Sequence, residues 1–333
     1  MSRHVLVTGA LGCLGAWVVR GLARRGDAVT AYDLAEDPHR MRLIMTPDEL
    51  AQVTFARGDI TDLASLKALA AANGITDIIH LAALQVPACK ANPTLGAQVN
   101  VVGTVNVFET ARHLGLGHVV YASSVATYGG REDYAAPLIR PEDPLNPRTL
   151  YGVTKQANEA MARVYRWDYG LNSIGLRPYV IYGPGRDQGM TSTPTKAMLA
   201  AAAGRPYHIS YGGRCGLQYA ADVAALFLRV ADLRLESPQA PPFEGAEVYN
   251  IRGSVVDMSE VVQAIEAAVP AAKGTITFDP TPLPFPDGQE DTRLRTLLGS
   301  LTTTPLDEGV AATIRTFRTA LADGRLTTKD LDA

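Results

Sequence analysis

The sequence predicts a doubly wound α/β fold, a parallel β-sheet covered by helices on both faces. Three observations carry this. Short β-branched runs recur that are apolar along their whole length, the pattern of strands buried on both faces. Helical patterns alternate with them. The first strand ends in a glycine-rich turn that opens a helix, and sheets of this kind bind ligands at the carboxyl ends of their strands.

The elements follow in order. Residues 4–9, HVLVTG, are the first strand, ended by glycine, and LGAWVVRGLARRG continues as a helix with Trp17, Val18 and Leu22 on its apolar face and Gly26 at its end. DAVTAYD (27–33) is the second strand and VTFARGDI (53–60) the third. DLASLKALAAANG is a helix with Asp62 as N-cap and Gly74 as its stop. ITDIIHLAA (75–83) is the fourth strand, VNVVGTVNVFETARHLG a helix, and HVVYASS (118–124) the fifth strand. LYGVTKQANEAMARVYRWDYG (150–170) reads as a long helix and LNSIGLRPYVIYG (171–183) as the sixth strand. Beyond about residue 184 Gly, Pro and Thr become frequent and the alternation is lost. There EVYNI (247–251) is expected to return to the main sheet.

Bulk properties narrow the function. The 333 residues are 47% hydrophobic and 20% charged, ordinary globular composition. A net charge of −3 offers no electrostatic case for nucleic acid or a membrane surface. Cys13, Cys89 and Cys215 lie far apart without a CxxC, so neither a disulfide framework nor a zinc site is expected, and no histidine pair has metal-ligand spacing. The opening run lacks the layout of a signal peptide, and no apolar stretch reaches the ~20 residues of a transmembrane helix. A cytoplasmic location is expected.

The chemistry-bearing residues lie at strand ends. In VTGALGCLG, Gly9, Gly12 and Gly15 let the backbone turn tightly and approach a pyrophosphate, with Cys13 and Leu14 on the same turn. Asp33 ends the second strand, where a carboxylate accepts hydrogen bonds from ribose hydroxyls and repels a 2′-phosphate; this predicts NAD over NADP, with Arg40 and Arg42 nearby as a source of tolerance. GDI with Asp59 and Ile60, and HLAA with Leu81, Ala82 and Ala83, end strands where the adenine and the nicotinamide ribose would lie. His80 reads as a packed core histidine. Ser124, followed by Val125, ends the fifth strand facing the cleft.

YGVTK places Tyr151 and Lys155 at i and i+4, on one face of the long helix. An ammonium beside a phenol favours phenolate, and a phenol so tuned can take the proton of an alcohol while a nicotinamide takes its hydride. Ser124 would hold the substrate oxygen and Lys155 would also reach the nicotinamide ribose. The loop RDQGMTSTPTK (186–196) offers Thr191, Ser192 and Thr193 with Arg186 and Lys196 to sugar hydroxyls or a carboxylate, and Gln85 is a further candidate for substrate contact. The predicted division is an NAD-binding domain over 1–183, with 214–251 partly returning to it, and a substrate-binding region over 184–213 and 252–333.

With the glycine motif, HLAA, SSxxxYG, YxxxK and RPYVIYGPGR in this order, the chain resembles the extended short-chain dehydrogenase/reductases, and within them the NAD-dependent epimerase/dehydratase group. The resemblance implies a Rossmann-type domain, a C-terminal substrate domain and a homodimer through a four-helix bundle formed by about 100–115 and 150–169. It also implies that Asn100, Tyr179, Asp59 and Ile60 belong to the cofactor site. The departures are informative. Val125 and Ala126 stand where 4,6-dehydratases carry Asp-Glu, so water elimination is not expected. Nucleotide-sugar epimerases carry Asn at the place of Val180, Arg-Asp at that of Cys215 and Gly216, and a second Arg before the position of Asp287. Losing those diphosphate contacts would forfeit several charge-assisted hydrogen bonds, roughly 1.5–3 kcal/mol each. The expected function is oxidation of a secondary alcohol on a small sugar, sugar acid or polyol; an epimerase retaining its NAD is the alternative.

Overall fold

The computed structural model describes residues 3–233, 235 and 243–331. Its strands in chain order are β1 His4–Thr8, β2 Ala28–Asp33, β3 Val53–Arg57, β4 Asp77–His80, β5 His118–Ala122, β6 Leu138–Ile139, β7 Asn172–Arg177, β8 Val180–Tyr182, β9 Tyr207–Ile209, β10 Arg214–Tyr219, β11 Ala246–Asn250, β12 Ser254–Asp257, β13 Ile276–Phe278 and β14 Gly288–Gln289. Seven form one sheet in the order β11-β7-β5-β4-β1-β2-β3, all parallel. The order reverses at β1, between β2 and β4. A crevice therefore opens there at the carboxyl ends of the strands.

Continuous apolar runs make this sheet because both of its faces are covered. Val5, Leu6 and Val7 of β1 have no exposed surface. On one face helix Cys13–Arg24 packs against helix Ala220–Ala231, with Trp17, Val18 and Leu22 turned to Val223, Phe227 and the sheet in one apolar core. On the other face Phe108, Tyr121 and Tyr165 join helices Gly103–Leu114 and Leu150–Tyr169 to β5. A third core gathers β8, β10, helices Thr193–Ala202, Met258–Ala268 and Leu306–Ala322 in the C-terminal half.

Several strands end earlier than the sequence suggests. The third stops at Arg57 and the fourth at His80, leaving Gly58–Ile60 and Leu81–Ala83 as loops at the carboxyl edge. The run 171–183 divides at Pro178, which has no N–H for a ladder. Its second part, β8, pairs with β10 in a separate sheet of order β12-β10-β8. Of the segment 214–251, β10 lies in that second sheet, while β11 adds to β7 at the edge of the main one. Among the described residues no helix is long and apolar enough to cross a membrane.

Candidate active site

The glycine-rich turn is shaped by contacts that leave no room for side chains. Gly9 has φ +68°, and a Cβ there would lie 2.5 Å from the Ala82 nitrogen; one on Gly15 would lie 2.2 Å from the Gly9 carbonyl oxygen. Helix Cys13–Arg24 begins on Gly12 with no side-chain cap and no acidic residue in its first turn. Its free N–H groups and positive dipole end are thus available to an anion. The Leu11 N–H donates to Asp33 Oδ2 at 2.9 Å, which fixes the acid beside the turn, and Asp33 Oδ1 accepts from the Ala35 N–H at 3.0 Å.

A cavity of about 640 Å³ runs from this turn to the start of helix Leu150–Tyr169. Thr149 caps that helix by accepting from the Gly152 N–H at 3.0 Å. Tyr151 and Lys155 project from its first turns beside Ser124, and all three line the cavity. The Lys155 Nζ donates to the Ala122 carbonyl at 2.7 Å, at the end of β5, and lies 5.7 Å from the centre of the Tyr151 ring. Burial lowers the lysine pKa to about 8. Burial raises that of Tyr151, opposed by a hydrogen bond with Ser124 and by the positive charge of Arg186. The Lys155 ammonium also holds the Ala122 carbonyl, which keeps its charge beside the Tyr151 ring.

The same cavity is lined by Gly9, Gly12, Cys13, Leu14, Gly15, Asp33, Asp59, Ile60, Leu81, Ala82, Ala83, Gln85, Val125, Tyr179 and Thr191. Asn100, Val180 and Ser192 are not brought there, nor are Thr193 and Lys196. Asn100, fully buried, clamps the loop after Ala83: its Oδ1 accepts from the Leu84 N–H at 2.7 Å, and its Nδ2 donates to the Leu84 carbonyl at 3.0 Å and to Thr154 Oγ1 at 3.1 Å. It lies in a π-helical turn, Gln98–Val102, and positions cavity walls without touching the cavity. Val180 is buried in β8, its side chain in the C-terminal core. Ser192 donates to the Gly189 carbonyl at 2.9 Å, closing the turn before helix Thr193–Ala202.

Arg186, which the sequence already offers to the substrate, faces the Tyr151 end. Gln188, Met190 and Phe285 also line the cavity and carry no such signal in the sequence. Phe285 comes from the irregular stretch PLPFPDG, which carries no local signal for it. His80 is enclosed by Thr8 and Thr104. Because the Thr104 hydroxyl donates to the Asn100 carbonyl at 2.7 Å, it accepts from His80 Nε2–H, and Nδ1 accepts from Thr8 at 2.7 Å. Burial lowers its pKa to about 3, so it is neutral and structural.

The model of the NAD dependent epimerase/dehydratase family matches residues 5–251. The chain belongs to this family. A UDP-glucose 4-epimerase of Mycolicibacterium smegmatis is 32% identical over 95% of this chain and 98% of its own. Among solved structures, MoeE5 in complex with UDP-glucose and NAD is 27% identical, with a TM-score of 0.77, over 96% of this chain and 99% of its own. A partial consensus L-threonine 3-dehydrogenase has the higher TM-score, 0.83, at 23% identity over 95% of this chain and 99% of its own, and so shares the fold.

As a member of the epimerase/dehydratase family, the protein is an enzyme of the extended short-chain dehydrogenase/reductase type, with NAD as its cofactor. The residues present fit that cofactor. The glycine cradle excludes side chains, the helix N-terminus is uncapped, and Asp33 stands at the end of β2. The nearby cations are already engaged: Arg40 on Asp187 at 2.7–3.0 Å and Arg42 on Asp37. Neither is left for a 2′-phosphate.

Proposed function

We propose that the protein is an NAD-dependent dehydrogenase that oxidises a secondary alcohol of a small polyhydroxylated substrate, a sugar, sugar acid or polyol. The observation that carries this reading is the grouping of Ser124, Tyr151 and Lys155 in one cavity with the glycine-rich turn and Asp33. Gly9, Gly12, Gly15 and Asp33 would hold NAD, which when bound would supply the hydride acceptor for the carbinol carbon. Ser124 holds the reacting oxygen, Tyr151 takes the hydroxyl proton as the carbonyl forms, and Lys155 stays beneath on Ala122 to orient the ring and the ribose.

The substrate is small because the cavity has few cations to spare. Its arginines and lysines are Arg40, Lys155 and Arg186, of which Arg40 is tied to Asp187 and Lys155 to Ala122. Arg214, one residue from the expected diphosphate position, points instead to the Val255 carbonyl and does not line the cavity. A nucleotide-sugar 4-epimerase retaining its NAD is the second reading, favoured by the M. smegmatis relative. The protein is further proposed to act as a homodimer, through the helices Gly103–Leu114 and Leu150–Tyr169, in the cytoplasm, where its three free thiols would persist.

Absorbance at 340 nm tests the chemistry, with NAD and a panel of sugars, sugar acids and polyols alongside UDP-glucose and UDP-glucuronate. Net NADH with a small substrate is the expected result. Interconversion of a UDP-sugar without net NADH, with NAD bound as purified, would establish the epimerase.

A further inference from the structure

Arg186 is a cation prepared for an anion that the protein itself does not supply. It lines the cavity at the Tyr151 end, where its Nη2 donates to Thr191 Oγ1 at 3.0 Å and its Nη1 reaches Gln85 Oε1 at 3.5 Å. Its Nε is enclosed and has no partner. The carboxylates along the cavity are all committed elsewhere. Asp187 clasps Arg40, Asp37 meets Arg42, Asp33 is held by Leu11 and Ala35, and Asp59 accepts from Thr61. The half-buried Arg186 guanidinium has spare donors and no counter-ion, and an arriving carboxylate would supply both charge and acceptors.

We propose that Arg186 seats a carboxylate of the substrate, so that the enzyme acts on a small hydroxy acid, a sugar acid or hydroxy amino acid, whose alcohol meets Ser124 and Tyr151. The proposal rests on the dehydrogenase reading and narrows it. One guanidinium matches one carboxylate bidentately, and Gln85 and Thr191, which now hold it, are placed to contact flanking hydroxyl or amino groups. A neutral sugar or polyol would leave Arg186 without a counter-ion in the closed complex and bind poorly.

Calorimetric titration of the NAD-loaded Tyr151→Phe protein reads binding without turnover. The probes are three- to six-carbon aldonic acids and L-threonine, each against its neutral counterpart, the polyol or amino alcohol. At least one acid should bind tighter than its counterpart by roughly ten- to a hundredfold, as expected for charge-assisted hydrogen bonds to one arginine. Adding Arg186→Gln should erase that preference, and Arg186→Lys should restore part of it, while NAD affinity and melting temperature stay unchanged. Acids that bind no better than neutral counterparts, or a preference that survives Arg186→Gln, overturn the proposal. If the Gln variant does not fold, the wild-type acid-to-neutral ratio of kcat/KM decides between the same two outcomes. NADH formation from neutral sugars, unaffected by Arg186→Gln, would sink the carboxylate seat and leave the dehydrogenase standing. UDP-sugar interconversion without NADH, with acid binding still lost in Arg186→Gln, would sink the dehydrogenase and leave the seat.

Discussion

Under the proposed mechanism, a single oxygen of Tyr151 separates cofactor binding from chemistry. Tyr151→Phe keeps the ring beside Lys155 and leaves the glycine turn and Asp33 untouched. NADH affinity, read by fluorescence titration, should be unchanged, while turnover at 340 nm falls by about 10²–10⁴-fold, the share of a positioned general base. Retained turnover would remove Tyr151 from the mechanism. His80 gives a second prediction, on stability. Its folded pKa is about 3, against about 6.5 when unfolded. Between those values only the unfolded chain takes up the proton, so the stability present above pH 6.5 is lost as pH falls towards 3. That amounts to ~2 kcal/mol by pH 5 from this residue. Urea unfolding at pH 7 and 5 should show a smaller loss in His80→Asn than in the parent. The residues most legible in the sequence are those whose role is local: Gly9 because of its backbone, Tyr151 and Lys155 because of their helical spacing. The clamp that Asn100 makes is not legible, because its partners, Leu84 and Thr154, lie 16 and 54 positions away, at distances no spacing rule spans.

Helix Leu150–Tyr169 is held by the third member of its own i, i+4 series, Glu159, which follows Tyr151 and Lys155 on the same face. The buried Glu159 carboxylate receives the Ser123 hydroxyl and the Nε–H and Nη2–H of Arg177, at 2.8 and 2.7 Å, from the end of β7. Glu159→Leu would strand the guanidinium in the interior and cost ~3–5 kcal/mol, measurable by chemical denaturation, and adding Arg177→Met should recover much of it. A second tie crosses the cleft. Arg40, on helix His39–Ile44, grips Asp187 and also donates to the Leu11 carbonyl at 3.0 Å, joining the substrate loop to the glycine turn. A dehydrogenase must release NADH every turnover, so Asp187→Asn should speed release about fivefold by stopped flow, as expected for an ion pair of order 1 kcal/mol. The main strands and long helices of the first half were legible because the strands are mostly apolar runs and those helices carry their own stops. The short helices His39–Ile44, Pro47–Ala51, Val86–Ala91 and Pro93–Ala97 are too brief to show a period. The second half was not legible: β8, β10 and β12 are three to six residues long and find one another across irregular chain.

On the scale of the whole molecule, the helix that presents the reacting side chains inward carries an unpartnered apolar stripe outward. Leu150, Val153, Ala157, Ala160, Val164 and Trp167 follow one another at spacings of three and four, with Trp167 74% exposed. The neighbouring helical run adds Leu95 and Val102, also exposed. An exposed stripe of this length suits the proposed homodimer, and small residues at its centre would let a second helix approach closely. Two copies related by a twofold axis would set this pair of helices against the same pair of the partner, the four-helix bundle that the family resemblance implies. Such a bundle would brace the helix on which Tyr151, Lys155 and Glu159 are mounted. Sedimentation of the native chain at micromolar concentration should therefore give a dimer, and Trp167→Glu, which buries a charge at the interface, a monomer. The monomer should bind NAD normally but melt lower and turn over more slowly, because the first turns of the helix lose their outer support. A native chain that sediments as a monomer, or a Trp167→Glu protein that remains a dimer, would assign the stripe to something other than a second copy.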